Sequence, residues 1–281
     1  MRSYETSRTL MERPVRNAVR AKLWVIPVVV PLVLLLAMTG WCDSAEAQHL
    51  IDLTYAFDET TQVWPSNLPF HREAVFRGGT KTEAWYATGQ VALSEHAGTH
   101  MDAPIHFAQD QVGIDQIPVE RLMGPVIVID VRAAAANDRD YRLSLEDIQR
   151  WEVQYGTIPA GAVVMMLTGW GAYWNDRERY FGTATPDLPA TLHFPGFSRE
   201  VAEFLVAERH IHGVGIDTPS IDYGPSQDFS VHRVLNAAGL YGLENVARLD
   251  EVPPSGGKLL ALPMKIAGGT GAPVRIIAVV P

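Results

Sequence analysis

Cysteine is all but missing from this chain of 281 residues; Cys42 stands alone. One thiol excludes a disulfide framework and a thiolate metal cage within a single chain. Basic charge is short as well. Lys and Arg number 23 against 32 Asp and Glu, a formal net charge of −9. That balance argues against a nucleic-acid partner, which needs clustered cations. Familiar catalytic signatures are absent: there is no G-x-S-x-G elbow, no H-E-x-x-H motif and no P-loop. Gly268-Gly269-Thr270-Gly271 lacks the Lys-Ser/Thr ending of a phosphate cradle and reads as a turn between the last two strands. What remains is 47% hydrophobic and 20% charged, a globular composition able to bury a sizeable core. Length leaves one or two domains open.

The first 47 residues read as an address. Arg2, Arg8, Arg13, Arg16, Arg20 and Lys22 form a basic leader, an apolar run extends from Leu23 to about Met38, and Ala45-Glu46-Ala47 follows. This is the order of a secretory signal peptide, with cleavage expected before Gln48. An uncleaved membrane anchor is the alternative, because the run is close to spanning length, although Pro27 and Pro31 interrupt it. Residues 1–47 are thus expected to be a signal and 48–281 one functional domain, exported to the periplasm or beyond. Cleavage would remove Cys42, and the remaining chain would be acidic, free of thiols and without stable membrane contact.

Hydrophobic patterning predicts strands at His49–Tyr55 and Trp85–Glu95, and short buried strands at Pro125–Val131 and Ala162–Leu167. Ser144 opens a helix with Asp147 placed to complete a capping box. Ser198 caps another through about Glu208, with Val201, Phe204 and Leu205 as its apolar stripe. Gly213–Asp217 is the next strand, so this strand–helix–strand unit is expected to be parallel. Ser230 is expected to cap a shorter helix that carries His232. Leu259–Lys265 and Val274–Val280 close the chain as strands. Trp64-Pro65 and the stretch 169–196 read as loops, and Ala133–Ala136 as a surface loop or frayed turn. Strands dominate, so the expected class is mixed α/β, a mixed sheet or barrel-like β core with few packed helices.

Chemistry is concentrated in Ser94-Glu95-His96-Ala97-Gly98-Thr99-His100-Met101-Asp102-Ala103-Pro104-Ile105-His106-Phe107. Three imidazoles and a carboxylate within eleven residues suit Zn²⁺, Mn²⁺ or Fe²⁺. Gly98 weakens a helix and Pro104 ends one, so a tight loop after a strand is expected, with Gly98 allowing close backbone approach to an ion. His96, His100 and Asp102 as ligands leave open positions, the arrangement of a catalytic site. A water held there ionises near neutral pH, and His106 is placed to move protons between nucleophile and leaving group. His71, His193 and His210 read as structural or surface residues.

The pattern H-x-G-T-H-x-D-x-P-x-H-F resembles the cyclase family of metal-dependent hydrolases, which includes bacterial kynurenine formamidases and isatin hydrolases. Thr61-Gln62-Val63-Trp64-Pro65, Gly215-Ile216-Asp217-Thr218-Pro219-Ser220-Ile221-Asp222 and Leu259-Leu260-Ala261-Leu262-Pro263-Met264-Lys265 are similar to three further stretches of that family. The resemblance covers nearly all of 48–281. It implies a swivelling β/β/α domain, usually in dimers or larger oligomers. It further implies His96, His100 and Asp102 as ligands, His106 as the catalytic histidine, and His232 with Glu244 completing a site for one or two Zn²⁺ or Mn²⁺ ions. Trp64 and Phe107 would meet an aromatic substrate. The implied reaction is hydrolysis of an aryl formamide of the N-formylkynurenine type, or of a cyclic amide such as isatin, by metal-held hydroxide.

Two features depart from kynurenine formamidases: the export leader, and a longer segment before Ser198 rich in Trp170, Tyr173, Trp174, Tyr180 and Phe181. That segment reads either as a loop packing its own aromatics or as a wall or lid over a flat substrate. Lactone hydrolysis or dehydration at the same site is an alternative activity. A periplasmic metal or small-molecule binding protein without turnover is an alternative of another class.

Overall fold

A computed structural model describes residues 48–82 and 84–281. The expected leader over 1–47, its cleavage site and Cys42 lie outside the described residues. In chain order the strands are β1 (His49–Asp52), β2 (His71–Gly79), β3 (Trp85–Ala92), β4 (His100–Asp102), β5 (Met123–Asp130), β6 (Arg142–Leu143), β7 (Val163–Leu167), β8 (Gly196–Phe197), β9 (Gly213–Ile216), β10 (Tyr241–Glu244), β11 (Gly257–Pro263) and β12 (Gly271–Val280). The α-helices are α1 (Arg132–Asn137), α2 (Leu145–Tyr155), α3 (Arg177–Tyr180), α4 (Arg199–Phe204) and α5 (Ser230–Ala237).

Strands β12, β11, β5, β7, β9, β10 and β4 pair in that order, and β4 pairs back onto β12, so the sheet closes into a barrel. Closure leaves none of these strands as a free edge. Strand β1 adds antiparallel to β12. The run β5–β7–β9–β10 is parallel, and all five residues of β7 are buried, as a strand covered on both faces requires. Alternation divides the apolar residues cleanly. Val126, Val128, Val163, Met165, Leu243, Leu259 and Ile276 fill the barrel. Ile127, Ile129, Val164, Met166, Val214 and Ile216 face outward against Ile148 and Trp151 of α2, Val201 of α4 and Leu235 of α5.

The expected capping box is present. Ser144 Oγ accepts from the Asp147 amide at 3.3 Å and Asp147 Oδ2 accepts from the Ser144 amide at 2.8 Å. Ser198 Oγ caps α4 through the Val201 amide at 3.3 Å, and the helix continues as a π turn to Arg209.

Two expectations need correction, and one strand carries no signal in the sequence. The alanine run forms α1 instead of a loop, since Ala is the best helix former and Asp130 Oδ1 holds the Arg132 amide at 3.0 Å. Strand β2 was not foreseen because it has no buried face to impose alternation; almost every residue of the β2–β3 hairpin is exposed. Ser230 is not the cap of α5. The cap position is Phe229, in the left-handed region at φ 47°, and the first amides of the helix are held by a carboxylate from elsewhere, described below.

Candidate metal centre

A short piece of chain places most of the cluster. His96 lies in a turn, His100 and Asp102 on β4, and His106 in the single 3₁₀ turn Pro104–His106. The expected tight loop is therefore half strand. Antiparallel pairing of β10 with β4 sets Glu244 opposite His100 and Gly242 opposite Asp102. Helix α5 brings in His232. Six residues spread over nearly 150 positions thus converge because the barrel closes.

Two carboxylates organise the centre. Asp102 Oδ1 lies 2.6 Å from His96 Nδ1 and 3.2 Å from His100 Nε2, and Oδ2 lies 3.2 Å from His232 Nε2. Glu244 Oε1 lies 3.2 Å from His232 Nε2, and Oε2 lies 3.3 Å from His100 Nε2. His100, Asp102, His232 and Glu244 are all buried.

The outer ring nitrogens are committed. His100 Nδ1 donates to the Gly98 carbonyl at 2.9 Å, and His232 Nδ1 donates to Asp222 Oδ2 at 2.7 Å. In each ring it is Nε2 that faces the carboxylates, and a cation between them would take its lone pair in place of a proton. His100 Nε2 is buried without a hydrogen-bond partner. An orphaned nitrogen aimed between two carboxylates is costly unless a cation occupies the space they share, and this donor set of imidazole and carboxylate fits a divalent metal. The candidate ligand atoms form two sets, His96–Asp102–His106 and His100–Asp102–Glu244, with atoms of each within 4.8 Å of one another. Asp102 belongs to both, so the geometry accommodates one ion or two.

The field of the two carboxylates calls for positive charge, which the His100 ring itself would carry as a second proton if no metal were held there. Burial opposes charge on His100, yet Asp102 and Glu244 outweigh it and hold its pKa up at about 10. Burial also opposes charge on Asp102, and the neighbouring histidines nevertheless keep it well below the usual carboxylate range. His106 goes the other way: burial pulls it down to about 4. Its ring stacks on that of His96, centroids 4.0 Å apart.

The centre lies on the floor of a cavity of about 220 Å³, which Trp64 and Phe107 line as expected. Phe229 and Phe181 complete an aromatic wall that the motif did not announce. Phe229 packs at 5.2 Å on Phe107 and 6.1 Å on Trp64. Asp222 was also missed as a working residue. Besides His232 Nδ1, its carboxylate accepts the Val231 and His232 amides at 3.1 Å each, so it caps α5 and orients the histidine together. The signal was present, as Asp222 closes the Gly215–Asp222 stretch, but nothing in the spacing pairs it with His232.

The aromatic insertion packs largely against itself. Trp170, Trp174, Tyr180, Phe181, Leu192 and Phe194 pack into a small core of their own, while Phe181 also reaches the cavity wall. Gly98 sits at φ 56°, and a Cβ there would meet Phe57 and Thr61 within 3 Å. The close approach the structure shows there is to these two side chains, which the Asp58–Thr61 turn packs against it. His71 pairs with Glu59 at the surface, 3.4 Å away, and His193 pairs with Asp140 at 2.8 Å.

Comparison with known proteins gives a consistent picture. The model of the Cyclase family matches residues 51–223. Isatin hydrolase of Roseibium aggregatum is 36% identical over 205 residues, 70% of this chain and 76% of that protein. Kynurenine formamidase of Salinibacter ruber is 29% identical over 228 residues, 81% of this chain and 96% of that protein. The solved structure of isatin hydrolase A from Ralstonia solanacearum superposes with a TM-score of 0.78 at 30% identity, covering 92% of this chain and all of that one.

Proposed function

Because this chain belongs to the Cyclase family, we propose that it hydrolyses a small aromatic amide, either an aryl formamide of the N-formylkynurenine type or a cyclic aryl amide such as isatin. The observation that carries this reading is the buried Nε2 of His100, without a hydrogen-bond partner and set between Asp102 and Glu244, opening onto a cavity walled by aromatic rings. His96, His100, Asp102, His232 and Glu244 would hold Zn²⁺ or Mn²⁺. Such an ion supplies Lewis acidity at the scissile carbonyl and makes water a competent nucleophile near neutral pH.

The chain's own groups do the rest. Asp102 and Glu244 supply the negative charge that holds a cation in a dry site. Trp64, Phe107 and Phe229 pack against the substrate's aromatic ring and exclude water around the carbonyl. His106, kept neutral by burial, accepts a proton from the nucleophile and returns it to the leaving amine. The order of basic, apolar and small residues over 1–47 supports export to the periplasm or beyond. A second copy of the chain is the proposed partner, seated on the β2–β3 hairpin, where Trp85, Tyr86, Val75 and Val91 are each more than half exposed.

The deciding experiment is to purify the protein, measure metal by elemental analysis, and assay N-formylkynurenine and isatin with and without chelator. Turnover that chelator abolishes and Zn²⁺ or Mn²⁺ restores supports the proposal. Turnover of lactones alone would move the activity to the alternative substrate class. Tight small-molecule binding with no turnover would make the chain a binding protein.

A further inference from the structure

The turn before β12 does more than connect two strands. Thr270 stands between Glu95 and His96. Glu95 Oε2 accepts from the Thr270 hydroxyl at 2.6 Å and from the Thr270 amide at 3.0 Å. His96 Nε2 lies 3.0 Å from the same hydroxyl oxygen. The direction of the chain follows from what each group can do. A carboxylate only accepts, so the hydroxyl spends its one hydrogen on Glu95 and must accept from His96. His96 therefore carries a proton on Nε2, and Nδ1 faces Asp102 Oδ1 at 2.6 Å, the nitrogen that a cation would take in place of a second proton.

The packing is built to hold this arrangement. A Cβ on Gly271 would meet His96 Cε1 at 2.6 Å, and one on Gly269 would meet Glu95 Oε1 at 3.0 Å. Two glycines thus let the turn press directly against the acid and the imidazole. Gly271 is also the residue β12 pairs with Asp102, so the strand that fixes the turn fixes the carboxylate too.

We propose that Glu95 and Thr270 are positioning residues that set the tautomer of His96 and thereby the affinity of the centre for its divalent metal. The inference rests on the metal reading above. The competing tautomer puts the proton on Nδ1, where it would donate to Asp102 Oδ1 and consume the lone pair that a metal needs. Glu95 prevents this indirectly, by keeping the Thr270 hydroxyl turned away from His96. His100 and His232 are oriented by a carbonyl and a carboxylate; His96 is oriented by a hydroxyl, which could point either way without Glu95.

The test is a competition titration of Zn²⁺ and of Mn²⁺ between the purified protein and a chromophoric chelator, with visible absorption of the Co²⁺-loaded protein as a second readout. Thr270→Val keeps the side-chain shape, removes the hydroxyl, and is expected to weaken metal binding by about 10- to 100-fold and to alter the Co²⁺ spectrum. Thr270→Ser is expected to restore both. Glu95→Ala leaves the turn residue intact, frees the hydroxyl to donate to His96, and is expected to weaken binding as Thr270→Val does. Parent affinity in either Thr270→Val or Glu95→Ala overturns the inference, as does failure of Thr270→Ser to rescue. A parent protein that binds none of these metals overturns the metal reading itself, a separate outcome.

Discussion

Gln62 Nε2 donates to the backbone carbonyl of Trp174 at 2.9 Å, although the two residues are 112 positions apart. Arg177 adds a second tie from the same insertion, donating to Gln62 Oε1 at 3.2 Å and to the Val63 carbonyl at 3.4 Å while lying 4.7 Å over the Phe181 ring. The insertion thus holds the loop that carries Trp64. Arg177→Met is expected to loosen that wall and raise KM for an aromatic amide roughly tenfold, the scale of one charged hydrogen bond, with a smaller effect on kcat. Steady-state kinetics check it. An unchanged KM would mean that Trp64 is held without the strap.

His106 and His100 are expected to separate by what they lose. His106→Ala should lower kcat by about 10²- to 10⁴-fold, the usual contribution of a proton-transfer group, while keeping its metal. His100→Ala removes the orphaned nitrogen at the heart of the site and should lose metal and activity together. Elemental analysis beside the kinetic assay distinguishes them. Full activity and full metal content in His100→Ala would contradict the proposed function.

The depressed pKa of His106, about 4 against an ordinary 6.5 with burial as the main cause, has a consequence for stability. Between these values the unfolded chain binds this proton and the folded chain does not. Stability from this group is therefore present above pH 6.5 and lost as pH falls toward 4, by up to about 1.4 kcal/mol per pH unit. A bound cation nearby acts in the same direction. His106→Gln should show a shallower fall in urea midpoint between pH 6.5 and 4.5 than the parent. Equal slopes would show that the group titrates alike in both states.

The β2–β3 hairpin exposes Trp85 at 68% and Tyr86 at 52%, and an isolated two-stranded ribbon is marginal in water. Light scattering is expected to find a dimer or larger oligomer, and Trp85→Ser with Tyr86→Ser to shift it toward monomer. A monomeric parent protein would leave the hairpin without the proposed partner.

Much of this was legible in the chain, for reasons that differ by element. Ser144 with Asp147 and Ser198 with Val201 are local arrangements, and local hydrogen bonding decides them wherever the helix packs. Strands β7 and β9 were readable because each is a continuous apolar run, and their parallel pairing because the helix between them leaves room for a crossover. Strand β2 was not, since a ribbon exposed on both faces carries no periodic signature. The cap of α5 was misread because Ser230 has the right chemistry, while the carboxylate that does the work, Asp222, is eight residues upstream.

The family resemblance brought in Trp64 and Phe107; by itself the sequence determined the candidate ligand chemistry, three histidines and an aspartate within eleven residues with Cys42 the one thiol in the chain. Spacing along the chain could supply that much because the cluster is one continuous segment. Only the tertiary structure decided which nitrogen of each ring faces the carboxylates, that Glu244 stands opposite His100, and that Glu95 and Thr270 stand behind His96. Those facts depend on the closing of β4 onto β10 and β12, and strand register is a contact between distant segments that no local pattern encodes.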